Sequence, residues 1–113
     1  MEDILVAHPD VNVLLAENDA MAMGAMKAIK EMGKEKQITV LGYDGQKEAY
    51  EMIKAGSFAA TAQNSPRILG ETIVEIAVKY LNDEPGIEKM VYTPSVLISK
   101  ENVDQFYDPK ALF

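Results

Sequence analysis

Residues 11–33 read VNVLLAENDAMAMGAMKAIKEMG and change period once. Val11 to Ala16 is a short, partly β-branched apolar run, the signature of a buried strand. From Asp19 to Met32 the apolar residues fall at Ala22, Ala25, Met26, Ile29 and Met32, which is helical spacing. Asn18 and Asp19 are both N-cap types, and Gly33 supplies a C-terminal stop. The same alternation continues downstream. Ile38 to Tyr43 predicts a second strand, and Gly45 to Ala55 a helix with Ala49, Met52 and Ile53 inward, ended by Gly56. Phe58 to Ala62 predicts a third strand. Ser65-Pro66 then opens another helix, with Ser as cap and Pro in the first turn, and its stripe is Leu69, Ile73, Ile76, Ala77 and Tyr80. Asn82 to Gly86 is a loop, and Met90 to Ser99 a last extended segment interrupted by Pro94. After Glu101 the tail sets Phe106, Tyr107 and Phe113 among polar residues.

Strands alternating with helices predict an α/β fold: a parallel sheet with flanking helices, Rossmann- or flavodoxin-like. The strands are nearly continuous apolar runs, so helices are expected on both faces. Glu2 to Ala7 reads as the last turns of a helix running into His8-Pro9, and the expectation is that the fold begins upstream of Met1. With 113 residues the chain is one small unit. Eleven Lys and Arg against 18 Asp and Glu give a net charge of −7, which argues against nucleic acid and against anionic membrane surfaces. No cysteine is present, so disulfides, thiolate metal sites and Cys nucleophiles are excluded. The single histidine, His8, rules out a His-rich metal site and reads as a surface residue. Met21, Met23, Met26 and Met32 read as core filler on their helix.

Open parallel sheets bind ligands beyond the carboxyl ends of their strands. Those ends carry Asn18, Asp44 and Asn64, with Gln46 and Gln63 nearby. One carboxylate acceptor beside amides that both donate and accept suits a polyhydroxylated ligand. Taken singly, each of these residues is more often a helix cap. A phosphoacceptor role for Asp44 needs an acidic cluster for Mg²⁺, and the first strand end offers only Glu17 and Asp19. No GxGxxG phosphate loop is present, because Gly42, Gly45 and Gly56 do not form one. No catalytic residues and no cofactor are predicted.

Four segments occur in order: Ala7-His8-Pro9-Asp10-Val11, Glu17-Asn18-Asp19-Ala20-Met21-Ala22-Met23-Gly24-Ala25, Leu41-Gly42-Tyr43-Asp44-Gly45, and Ala59-Ala60-Thr61-Ala62-Gln63-Asn64-Ser65-Pro66. Together they resemble the C-terminal part of periplasmic sugar-binding proteins of the ribose/galactose-binding type, which serve ABC importers. The resemblance implies a non-catalytic protein with two α/β lobes and a monosaccharide held between them. Its sugar-contacting positions match Asn18, Asp44 and Asn64, with Gln63 the neighbouring candidate. It divides the chain into a partial C-terminal lobe (1–64), a segment that crosses to the other lobe (65–93), and a return strand with tail (94–113). The N-terminal lobe, with its stacking aromatics and clamping arginines, has no counterpart here. The implied partners are a monosaccharide and a membrane permease, with no nucleic acid, and the implied location is periplasmic. The chain by itself is expected to self-associate through residues 65–93. The effector domains of LacI-type, sugar-responsive regulators share these motifs and form the alternative. They more often carry Gly-Phe-Asp-Asp where this chain has Gly42-Tyr43-Asp44-Gly45.

Overall fold

A computed structural model describes residues 1–110, so the expectation for Phe113 lies outside the described residues. The elements are α1 (Glu2–Ala7), β1 (Val13–Leu15), α2 (Asp19–Glu31), β2 (Thr39–Asp44), α3 (Lys47–Ala55), β3 (Ala60–Gln63), α4 (Pro66–Leu81), β4 (Val96–Ser99) and α5 (Val103–Phe106). The sheet order is β1-β2-β3-β4. The first three strands are parallel, with Val13 opposite Thr39 and Asp44 opposite Gln63. β4 departs from the all-parallel expectation and pairs antiparallel with β3, setting Gln63 opposite Val96. The cause is the connection: α4 and its loop leave the sheet and return to the end they left, so β4 runs back beside β3. The Ser95 hydroxyl donates to the Gln63 carbonyl at 2.9 Å and ties that exit to that return.

One core holds the sheet to its helices. Leu5 of α1, Ala22 and Ile29 of α2, Ala49, Tyr50 and Ile53 of α3, and Val103 of α5 pack with Val40, Phe58 and Ile98. Of the inward positions read from periodicity, Ala22, Ile29, Ala49 and Ile53 are buried and Ala25 is half-buried. Met26 and Met52 pack against this core, whereas Met21 and Met32 are exposed, so the methionines are only partly core filler.

The expectation of helices on both sheet faces is not met. Side chains alternate across a strand, and the set pointing away from the core stands open: Val13, Leu15, Tyr43 and Leu97, with Leu15 73% and Leu97 65% exposed. The apolar runs do mark strands suited to two-sided burial. Their second cover, however, is not supplied by α4, which buries none of its residues.

Gly42 sits mid-strand because two buried side chains occupy the space above it. A Cβ there would stand 2.2 Å from Asp19 Oδ1 and 2.8 Å from Phe58 Cζ. Gly42→Ala is therefore expected to destabilise the chain by about 1 to 3 kcal/mol through overpacking. Urea unfolding checks this, and an unchanged midpoint would contradict the close packing.

Candidate functional site

The carboxyl ends of β1, β2 and β3 lie side by side, and neighbouring strands are about 4.8 Å apart. Asn18 follows β1, Asp44 closes β2 and Asn64 follows β3. All three sequence-predicted residues therefore share one edge of the sheet. Asp44 and Asn64 are linked directly, because the Asn64 amide donates to the Asp44 carbonyl at 2.9 Å. Neither side chain has a hydrogen-bond partner among the described residues, and both are half-buried. Asn18 is partly committed: its Oδ1 accepts from the Met21 amide at 2.7 Å and caps α2. Its side-chain NH₂ makes no hydrogen bond to the described residues. Asp44 adopts φ 119°, a left-handed conformation that disfavours a side chain.

Asp19 organises this edge, a role that sequence reasoning missed. Its side chain is 0% exposed. Oδ2 accepts from the Gly45 amide at 2.9 Å and the Gln46 amide at 2.8 Å, and Oδ1 accepts from the Thr61 hydroxyl at 2.8 Å. Asp19 is also the first residue of α2, and Gln46 is the N-cap of α3. The carboxylate thus sits at the positive ends of two helices. Gln46 makes no side-chain cap, so Asp19 takes an amide at the start of α3 from outside that helix. The one sequence signal was Gly42, since glycine inside a strand marks a close approach.

Burial pushes the Asp19 carboxyl up from its ordinary value, against the lowering effect of Gln46, Thr61 and Gly45, and the nearby Asp44 charge adds to the rise. The folded chain therefore holds this proton more tightly than the unfolded chain does. Its contribution to stability is complete below the unfolded pKa, about 3.9, and is lost as pH rises through the raised folded value. The stability difference between wild type and Asp19→Asn should move in the variant's favour as pH rises from about 4. Chemical denaturation at stepped pH checks this, and a difference that grows in favour of the wild type would reverse the sign.

Gln63 is the last residue of β3. With Asp44, Gly45, Lys47, Tyr50 and Arg67 it lines a hollow of 540 Å³. The buried Tyr50 hydroxyl makes no hydrogen bond of good geometry, and burial pushes its pKa up against the opposing influence of Gln63. A second hollow of 630 Å³, between α2 and α3, is lined by Met23, Met26 and Met52 and holds none of the predicted site residues. His8 is exposed in the turn after α1.

Open α/β sheets bind ligands at such a strand-end edge, and here a buried carboxylate holds it together. The chain matches the family described as periplasmic binding protein domain over residues 1–85, and it belongs to that family. Ribose import binding protein RbsB of Bacillus subtilis is 37% identical over 94 residues, covering 83% of this chain and 30% of that protein. Its Salmonella typhimurium counterpart is 40% identical over 84 residues, covering 74% and 28%. Among solved structures, a periplasmic solute-binding protein from Actinobacillus succinogenes with bound D-allose superposes with a TM-score of 0.85 at 33% identity, over 92% of this chain and 36% of that one. The Caulobacter myo-inositol binding protein superposes with a TM-score of 0.80, also at 33% identity, over 92% and 36%. The chain thus spans about a third of the length of these relatives. They are solute-binding proteins without a catalytic step.

Proposed function

We propose that this segment forms the C-terminal half-site of a protein that binds a monosaccharide or similar polyol for ABC-type import. The observation that carries the reading is the strand-end edge. The Asp44 carboxylate and the Asn64 amide stand unpartnered beside Asn18, and Asp44 and Asn64 are tied by a backbone hydrogen bond. Hydroxyls that donate and accept at once fit that mixture. Relatives described as binding ribose, D-allose and myo-inositol support the ligand class. Asn18, Asp44 and Asn64 are the proposed contacts, and Gln63 is a flanking residue that shapes the hollow behind Asp44. The proposed location is extracytoplasmic, and the proposed macromolecular partner is a membrane permease. Residues 65–93 are proposed to leave the lobe of residues 1–64 and to return at 94–113. That division is supported by the absence of any buried residue in α4. In isolation the chain is proposed to pair with a second copy through the same segment.

Calorimetry with ribose, allose and myo-inositol tests the reading. Saturable binding is expected for the full-length protein to which the segment corresponds, and negligible binding for the 113-residue chain, where most of the ligand surface would stay wet. Absence of saturable binding of any such polyol by the full-length protein would overturn it.

A further inference from the structure

We infer that Asp19 is a positioning residue for ligand binding: by holding the Gly45 and Gln46 amides and the Thr61 hydroxyl, its buried carboxylate sets where Asn18, Asp44 and Asn64 meet the ligand. The inference rests on the sugar-binding reading above and adds to it a residue that touches no ligand. Asp19 is 0% exposed and its oxygens are occupied by three protein donors. Each donor, like Asp19 itself, stands close in the chain to a proposed contact. Asn18 precedes Asp19, Asp44 precedes Gly45, and Asn64 lies three residues after Thr61. A single carboxylate therefore joins the end of β1 to the ends of β2 and β3, which the Asn64 amide and the Asp44 carbonyl already tie together. This coupling matters most at Asp44. At φ 119° its backbone is in a region that local forces do not favour, so the neighbouring chain must hold it. The Gly45 and Gln46 amides are the next two links, and Asp19 anchors both. Room has been made for this arrangement, because any side chain at position 42 would collide with Asp19 Oδ1.

The role requires an acceptor oxygen at this place more than it requires a charge. An asparagine can keep its Oδ1 toward the two amides and turn its NH₂ toward the Thr61 oxygen. Asp19→Ala removes the acceptor of the Gln46 amide and the Thr61 hydroxyl and leaves the Gly45 amide only its 3.3 Å contact with Thr61 Oγ1. The first arm of the test uses the 113-residue chain and needs no ligand. Amide hydrogen exchange at Gly45 and Gln46 is expected to rise at least tenfold in Asp19→Ala and to return within threefold of wild type in Asp19→Asn. Unchanged exchange in Asp19→Ala overturns the inference whether or not the sugar reading stands. The second arm uses the full-length protein. Asp19→Ala is expected to weaken sugar binding at least tenfold, Asp19→Asn to recover most of it, and Asp19→Ala to cause a clearly smaller loss once Asp44 is already alanine. A purely structural role predicts the same loss in both backgrounds, and that result overturns the inference. Wild-type binding that disappears in Asp44→Ala but stays within twofold in Asp19→Ala also overturns it, while leaving the sugar reading intact. Should Asp19→Ala fail to fold, Thr61→Val removes one donor at nearly constant volume. About a threefold loss of affinity is expected for that variant, and no loss overturns the inference.

Discussion

Replacing Asp44 by alanine in the full-length binding protein is expected to weaken sugar binding by about 2 to 4 kcal/mol, roughly 30- to 700-fold. The carboxylate makes no hydrogen bond to the described residues, so nothing in the lobe competes for its oxygens. Hydrogen bonds to an ionised acceptor are about twice as strong as neutral ones, and removing the acceptor leaves buried hydroxyls unpaired. Asn18→Ala is expected to cost less affinity, about 1 to 2 kcal/mol, because its bonds are neutral. It should also lower stability by about 1 kcal/mol, because Asn18 caps α2. Asp44 carries the opposite stability sign. Its φ of 119° suits glycine better than any side chain, so Asp44→Gly should bind sugar poorly yet unfold at higher denaturant than wild type. Titration calorimetry reads the first quantity and urea unfolding the second. Wild-type affinity in Asp44→Ala would remove Asp44 from the site.

Much of this edge was legible because its residues announce themselves locally. Asn18 and Ser65 are N-caps next to apolar periods, and both cap their helices. Ala22, Ile29, Ala49 and Ile53 repeat at helical spacing, and the core uses all four. Asp19 was not legible in the same way. Its donors lie 26, 27 and 42 positions away, and local pattern reads only as far as a helix turn or a strand. From sequence it looked like a second cap candidate beside Asn18. β4 shows a related limit. Its apolar residues mark a strand, but direction depends on where the preceding excursion re-enters the sheet, and the Ser95 to Gln63 contact decides that. The stripe on α4 is a third case. Amphipathic spacing shows that a helix has a face suited to burial, not which surface receives it. Tyr50 was not among the inward positions of its helix, yet it is buried, with its hydroxyl against Gly45.

That unreceived face leads to the last expected result: the 113-residue chain should associate into pairs through α4. The helix is 16 residues long, about 24 Å, and none of its residues is buried. Leu69, Ile73, Val74, Val78 and Leu81 stand in water, with Ile73 56% exposed. On the sheet, Val13, Leu15, Tyr43 and Leu97 form a second uncovered apolar surface, and the last three line a hollow of 580 Å³. The radius of gyration is 18.0 Å, against about 13 Å for a compact chain of this length. Each large side chain left exposed forgoes about 1.5 to 3 kcal/mol, and a small domain holds only about 5 to 15 kcal/mol in all. Covering either surface is therefore comparable to the whole stability of the fold. Two routes exist: α4 folds back on its own sheet, or two chains lay α4 on each other's sheets in a twofold arrangement. Geometry favours the second. Ser95 and Val96 hold the returning chain against Gln63, so both ends of residues 66–94 are rooted at the carboxyl end of β3. Pro66 and Pro94 restrict the backbone at the two ends of that segment, which hinders a reversal onto the same sheet. Light scattering over a tenfold concentration range should show mass rising from 12.5 kDa toward twice that value. Ile73→Asp, which sets a charge on the stripe and leaves the core untouched, should shift the midpoint at least tenfold toward monomer. A monomer at every concentration, with α4 amides protected from exchange, would exclude exchange and leave the fold-back as the way this chain covers its sheet.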